Sequence, residues 1–266
     1  MSASESTPGS GRAETGRTVA ALTDEAATAA HRARLLVRLA GHLGTGLRRG
    51  PRAFLQRLVD VVADVVPHLP VRDLATLQRH HDGLSGDALA ARLIRNAGYV
   101  TAGVGAAGGG VAAVEWAVPP TLLTAPVLLG AETVAVVAVE VKLLGELHAV
   151  YGVPLPQAPG ARAVALIQSW AQRRGFNPVS PGLGTGSLLG AAARDQLRAQ
   201  LLRRFGRNLS TLAPMLAGAA VGGYLNRRAT QSLGEAVRAD LRRRGAPAAR
   251  AALAGPLSGP GSTGQP

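Results

Sequence analysis

Apolar residues recur at helical spacing along most of this chain, and no alternation long enough to predict a strand appears. The cleanest example begins at Pro51, a residue suited to a first helical turn. Phe54, Leu55, Leu58, Val61, Val62, Val65 and Val66 share one face, and Gln56, Arg57, Asp60 and Asp64 share the other. Pro67 to Pro70 ends that helix. Just upstream, Leu35, Leu36, Leu39, Leu43 and Leu47 form a second stripe, within a segment from Arg32 to Arg57 that carries many Arg and no acid. Its plainer reading is a solvated face over a helical core; the alternative is a helix lying on an anionic membrane. A short helix over Val71–His81 follows. Another starts near Asp87, with Ser85 able to cap it.

From Asn96 to Val141 the pattern changes, because Lys and Arg vanish and the only charges are Glu115, Glu132 and Glu140. Pro119 and Pro120 break the stretch, so it reads as two apolar helices folded back on each other. In the first arm Gly98, Ala102, Gly105, Gly109 and Ala112 make a small-residue stripe of the kind that lets helix backbones approach closely. Each arm approaches the ~20 residues that cross a bilayer. Against insertion, a carboxylate at the position of Glu132 costs about 2.5–3.5 kcal/mol in a bilayer centre. The hairpin therefore reads as buried either in a membrane or in a helical bundle.

Beyond Tyr151-Gly152 a proline-rich loop precedes an amphipathic helix from Arg162 to Arg174, with Leu166, Ile167 and Trp170 inward. A Gly/Pro/Ser linker separates it from a helix over Ala191–Phe205. A second Gly-stripe helix carries Gly218 and Gly222 and runs into a basic segment ending at Arg242-Arg243-Arg244, where Gly245 and Pro247 should stop it. The expected organisation is all-α, a helical bundle with a Gly/Ala-rich hairpin. Residues 1–28 are expected to be disordered, 29–178 helical with the hairpin at 96–141, 179–190 a linker, 191–246 helical, and 247–266 a flexible tail.

Composition alters this picture little. The net charge is +13, but of the 29 basic residues only Lys142 is lysine, and Ala and Gly abound. That is a GC-rich coding bias as much as a binding signal. Arginine binds phosphate on lipid or nucleic acid. With 3% aromatic residues and no nucleic-acid motif, nucleic acid is not an expected partner. The absence of Cys excludes disulfides, thiolates and Cys-based metal sites. Met1 to Glu14 is polar and resembles no secretory signal, so the expected location is cytoplasmic, at or in the inner membrane.

Candidate chemistry is sparse. Gly103 to Gly108 matches GxGxxG, but a dinucleotide site needs a strand before it and an acid about 20 residues on. Gly182 to Ser187 lacks the Lys-Ser/Thr pair of a P-loop and reads as linker. His80-His81-Asp82 reads as exposed polar residues at a helix end, since adjacent side chains diverge on a helix. Glu132, Glu140, Glu146 and His148 share one helix. Glu132 and Glu140, with His148, could line a polar seam that binds a metal or small ligand, or could be neutralised by Arg from neighbouring helices. No catalytic residue and no cofactor is expected. The glycines at 105, 109, 218 and 222 are candidates for helix packing, within one chain or between copies.

Leu89-Ala-Ala-Arg-Leu-Ile-Arg-Asn-Ala-Gly, the double proline and Val139-Glu-Val-Lys-Leu-Leu-Gly-Glu-Leu-His-Ala-Val-Tyr-Gly-Val resemble a group of uncharacterised actinobacterial proteins. Leu212-Ala-Pro-Met-Leu-Ala-Gly-Ala-Ala-Val-Gly-Gly-Tyr-Leu-Asn-Arg-Arg, followed by a basic helix, is similar to the end of EcsC-like proteins. That family is named for its association with an ABC-transporter operon, and the resemblance implies no enzymatic activity and transfers no catalytic residue. The expectation is a non-catalytic membrane-associated helical protein, accessory to a membrane or transport process. Its expected partner is an anionic membrane surface or an inner-membrane protein. The alternative is a soluble helical protein that binds a metal or small ligand through the Glu seam.

Overall fold

A helix that is apolar all round must be covered on all sides, and that requirement organises the molecule. The computed structural model describes residues 8–47, 49–116, 124–174 and 218–253. Among them are eight α-helices and no strand: α1 (Pro8–Leu22), α2 (Ala29–Leu47), α3 (Pro51–Val65), α4 (Leu74–His80), α5 (Gly86–Trp116), α6 (Thr124–Val150), α7 (Pro159–Arg173) and α8 (Gly218–Leu253). α6, the second arm of the hairpin, is the apolar one, and every other described helix packs against it. From Val134 to Val141 each of its side chains is buried. Its cover is protein, and no described helix is long and apolar enough to cross a membrane.

The amphipathic helices surround α6 with their apolar faces inward. Leu35, Leu36, Leu39 and Leu43 of α2 and Phe54, Leu58 and Val62 of α3 all enter one core. The α2 stripe is thereby used for packing, leaving Arg34, Val37 and Arg38 outside. α7 contributes Leu166, Ile167 and Trp170.

α5 and α8 form the most intimate pair, and glycine is the reason. A Cβ on Gly105 would lie 2.9 Å from the backbone of Gly222, and one on Gly223 would lie 3.0 Å from the Ala102 carbonyl oxygen. Backbones this close leave no room for a side chain at Gly105 or at Gly223. Gly105 and Gly222 thus meet within one chain. Gly109 is half-buried further along α5, and Gly218 begins α8.

Two boundaries differ from the sequence reading. The N-terminal stretch expected to be disordered holds α1, which buries Thr15, Thr18, Val19 and Leu22 at i, i+3, i+4 and i+7. Half of that inward face is threonine and so looks polar. The Thr18 hydroxyl donates to the Glu14 carbonyl at 2.9 Å, which lets it be buried. At the other end α8 continues past Gly245 and Pro247 to Leu253. Gly245 serves a close approach instead of a stop, since a side chain there would come 3.0 Å from the Tyr151 carbonyl oxygen. The double proline, the 179–190 linker with Gly182–Ser187, the 191–205 helix and the tail beyond 253 lie outside the described residues.

Candidate functional site

Each acid on α6 needs an answer to the cost of burying a charge, and each finds a different one. Glu140 is 0% exposed. Its Oε2 accepts a hydrogen bond from the Trp170 indole at 2.7 Å. Its Oε1 accepts from the Thr230 hydroxyl at 2.9 Å and from the Arg174 guanidinium. α6, α7 and α8 are tied together at this carboxylate. With three donors on two oxygens it serves as an anchor, and little lone-pair capacity is left for a metal.

Glu132, two helical turns earlier, also meets α8: Asn226 donates to its Oε1 at 2.7 Å. Its other oxygen lies 2.9 Å from the place a Cβ on Gly108 of α5 would take. Gly103 to Gly108 therefore lies inside a continuous helix that packs on a carboxylate, without the strand and turn of a dinucleotide site.

Glu146 is the hub of a second network. Arg72 clasps it with two nitrogens, Nε at 2.7 Å and an Nη at 3.1 Å, and Lys142 reaches it at 2.7 Å. Arg72 also donates to Glu25 at 2.8 Å, and Asn96 donates to Glu25 at 2.7 Å. Burial works against both charges, but the pairing outweighs it: Arg72 is held above its ordinary pKa and Glu25 below its own. Beside this network lies a cavity of about 10 Å³, lined by Thr23, Glu25, Lys142 and Glu146 among apolar side chains. That is room for about one water molecule.

His148 does not join Glu132 and Glu140. Its Nδ1 faces the Leu144 carbonyl oxygen at 2.8 Å on its own helix, and its charged neighbours are Arg173, Arg244 and Asp240. No described group of three or more His, Asp and Glu side chains is placed to hold a metal ion.

The His80-His81-Asp82 reading needs correction at its centre, because His81 is buried. The amides of His81 and Gly83 both donate to the Gln78 carbonyl oxygen, and Asp82 and Gly83 take positive φ (54° and 75°). This tight end of α4 turns the His81 ring inward, where its Nε2 has no hydrogen-bond partner. Burial lowers the pKa of both His81 and His148 below the ordinary 6.5. The unfolded chain then takes up protons near that value while the folded chain resists them. The contribution of these two groups to stability is fully present above the unfolded value of about 6.5 and is lost as pH falls through the lower folded-state values. Thermal denaturation at pH 7.5 and 5.5 is expected to show a lower Tm at 5.5. The loss should shrink in a His81→Phe, His148→Phe variant; an unchanged pH dependence would contradict the assignment.

A third feature lies on the surface. Tyr99, Val221, Tyr224 and Leu225 are exposed at 56%, 46%, 59% and 49%. The Arg227 guanidinium stands 4.3 Å over the Tyr99 ring. The sequence reading offered Arg from neighbouring helices as partners of the buried acids, and Arg174 is one for Glu140, but the Trp170, Thr230 and Asn226 donors and this exposed face escaped it. The available signal was only that acids on an apolar helix require donors from elsewhere.

No family model, curated protein or solved structure matches the chain. The likeness to EcsC-like proteins accordingly rests on the short motifs quoted above.

Proposed function

We propose that this chain is a non-catalytic helical protein that associates with the surface of the inner membrane from the cytoplasmic side, in an accessory role. The observation that carries this reading is the contrast between its interior and exterior charges. Glu140 and Glu146 inside are occupied by fixed donors, which suits holding helices together. Outside, arginines such as Arg34, Arg38, Arg92, Arg95 and Arg228 are exposed on a chain of net charge +13. Guanidinium groups pair with lipid phosphates, and each basic group near an anionic leaflet contributes about 1 kcal/mol. The resemblance to a family without assigned catalysis points the same way.

Surface association, rather than insertion, suits a hairpin arm that protein already covers. Expressed in cells, the chain is expected to sediment with membranes at low salt and to be released by high salt, without needing carbonate or detergent. Recovery entirely in the soluble fraction at low salt would defeat the proposal.

A further inference from the structure

Tyr99 and the first turns of α8 create an exposed face that the core does not explain. On α8, Val221, Leu225 and Arg228 follow one another at i, i+4 and i+7, with Tyr224 beside them. This stripe points away from Gly222, Gly223 and Asn226, which pack on α5. Arg227 bridges the two helices, covering the Tyr99 ring and donating to its hydroxyl at 3.3 Å. Arg228 donates to the Tyr224 hydroxyl at 3.3 Å. Arg92 and Arg95 extend the Tyr99 side of the face along α5 at i−7 and i−4.

Among the described residues, every charge that α5 and α8 place beside these four side chains is an arginine. Between Leu89 and Val114, α5 carries only Arg92 and Arg95, and between Gly218 and Gly234, α8 carries only Arg227 and Arg228. Acids stand exposed elsewhere, as at Asp73, and the nearest along the α8 stripe is Glu235, two turns beyond Arg228 and paired with Arg238.

We propose that the face formed by Tyr99, Val221, Tyr224 and Leu225, fringed by Arg227 and Arg228, seats in the headgroup layer of an anionic phospholipid surface. This rests on the surface-association reading and assigns the part of the molecule that makes the contact. Tyrosine has an apolar ring and a polar tip, the combination suited to headgroup depth. Val221 and Leu225 reach the acyl boundary, while the guanidinium groups meet phosphates. A second copy of the chain is a poor occupant, because a two-fold contact would set arginines against arginines. Single-stranded nucleic acid is also a poor one. It binds by stacking bases on open ring faces, and Arg227 already occupies one face of Tyr99.

The chain lacks Cys, so Val221→Cys and Ala75→Cys each provide a unique site for an environment-sensitive dye; Ala75 lies exposed on α4. Each labelled full-length protein would be titrated with phosphatidylcholine vesicles and with vesicles containing phosphatidylglycerol. A dye at 221 should shift to the blue only with the anionic vesicles, and a dye at 75 should not. Sedimentation with the same vesicles should weaken on the order of tenfold in V221S/Y224S/L225S and in R227Q/R228Q. All substituted side chains except the half-buried Arg227 are exposed, so helical circular dichroism should be retained. Wild-type binding that neither variant weakens would overturn this face and leave surface association standing. If the wild type ignores anionic vesicles altogether, both proposals fail. Self-association or RNA binding that depends on the same residues, without vesicle binding, would replace the lipid with that partner.

Discussion

Glu140→Ala is expected to destabilise the folded chain by about 3–5 kcal/mol, the range for removing one partner of a buried charge pair. The substitution strands three donors at once. The Trp170 indole and the Thr230 hydroxyl lose their acceptor in a region without solvent, and the Arg174 guanidinium loses its counter-charge. A loss of this size is a large fraction of a typical domain's 5–15 kcal/mol. Because the three donors belong to α7, its C-terminal cap and α8, the cooperativity of unfolding should also decrease. Urea denaturation followed by tryptophan fluorescence reads this directly, since Trp170 sits on the carboxylate and Trp116 is the only other tryptophan. Glu140→Gln keeps the side-chain shape and one acceptor oxygen, so its cost should be clearly smaller. A loss below about 1 kcal/mol for the alanine variant would mean the network does not bind the helices together. The same variant bears on the metal-binding alternative. Stoichiometric metal in the purified wild type, lost in Glu140→Ala and Glu132→Ala, would revive it.

The second large effect is an asymmetry between two glycines that look equivalent in the sequence. Gly105→Ala should destabilise by about 1–3 kcal/mol, as overpacking does. Its new methyl group would lie 2.6 Å from Asn226 Nδ2 and 2.9 Å from the carbonyl carbon and oxygen of Gly222. Asn226 could swing aside only by giving up its hydrogen bond to Glu132, and the Gly222 backbone could yield only by moving α8. The opposite change, Gly222→Ala, meets nothing closer than the Gly105 carbonyl oxygen at 3.7 Å, an ordinary contact. Replacing glycine within a helix by alanine favours the helix by about 1 kcal/mol, so Gly222→Ala should be neutral or stabilising. Thermal denaturation of the two variants decides the matter. Equal shifts in Tm would contradict the close approach of α5 and α8 at this point.

Much of the helical framework was legible because its signals are local. Pro51, the proline pair after Val66 and the repeating apolar face of α3 lie within one stretch of chain, and the same holds for α7. Failures occurred where a local signal was ambiguous. α1 hides half its inward face in threonines, and α8 runs through a Gly-Ala-Pro sequence that ordinarily ends a helix. The buried position of His81 depends on the turn after α4, whose positive φ at Asp82 no composition argument foresees.

The positions of α2, α3, α5, α6 and α7, the all-helical character of the described residues, the requirement that the hairpin be covered and the need of its acids for partners follow from periodicity and from the cost of burying charge. Those are properties of a segment and its solvent. Which partners answer that need was decided only when the chain closed on itself. Trp170, Arg174 and Thr230 lie 30, 34 and 90 residues from Glu140, and Asn226 lies 94 residues from Glu132. The same closure determined that protein covers α6 and that Gly105 meets Gly222. Apolar side chains are satisfied by any dry neighbour and carry no address, whereas hydrogen bonds and backbone-to-backbone contacts demand particular atoms within about 3–4 Å, which only the packed structure supplies.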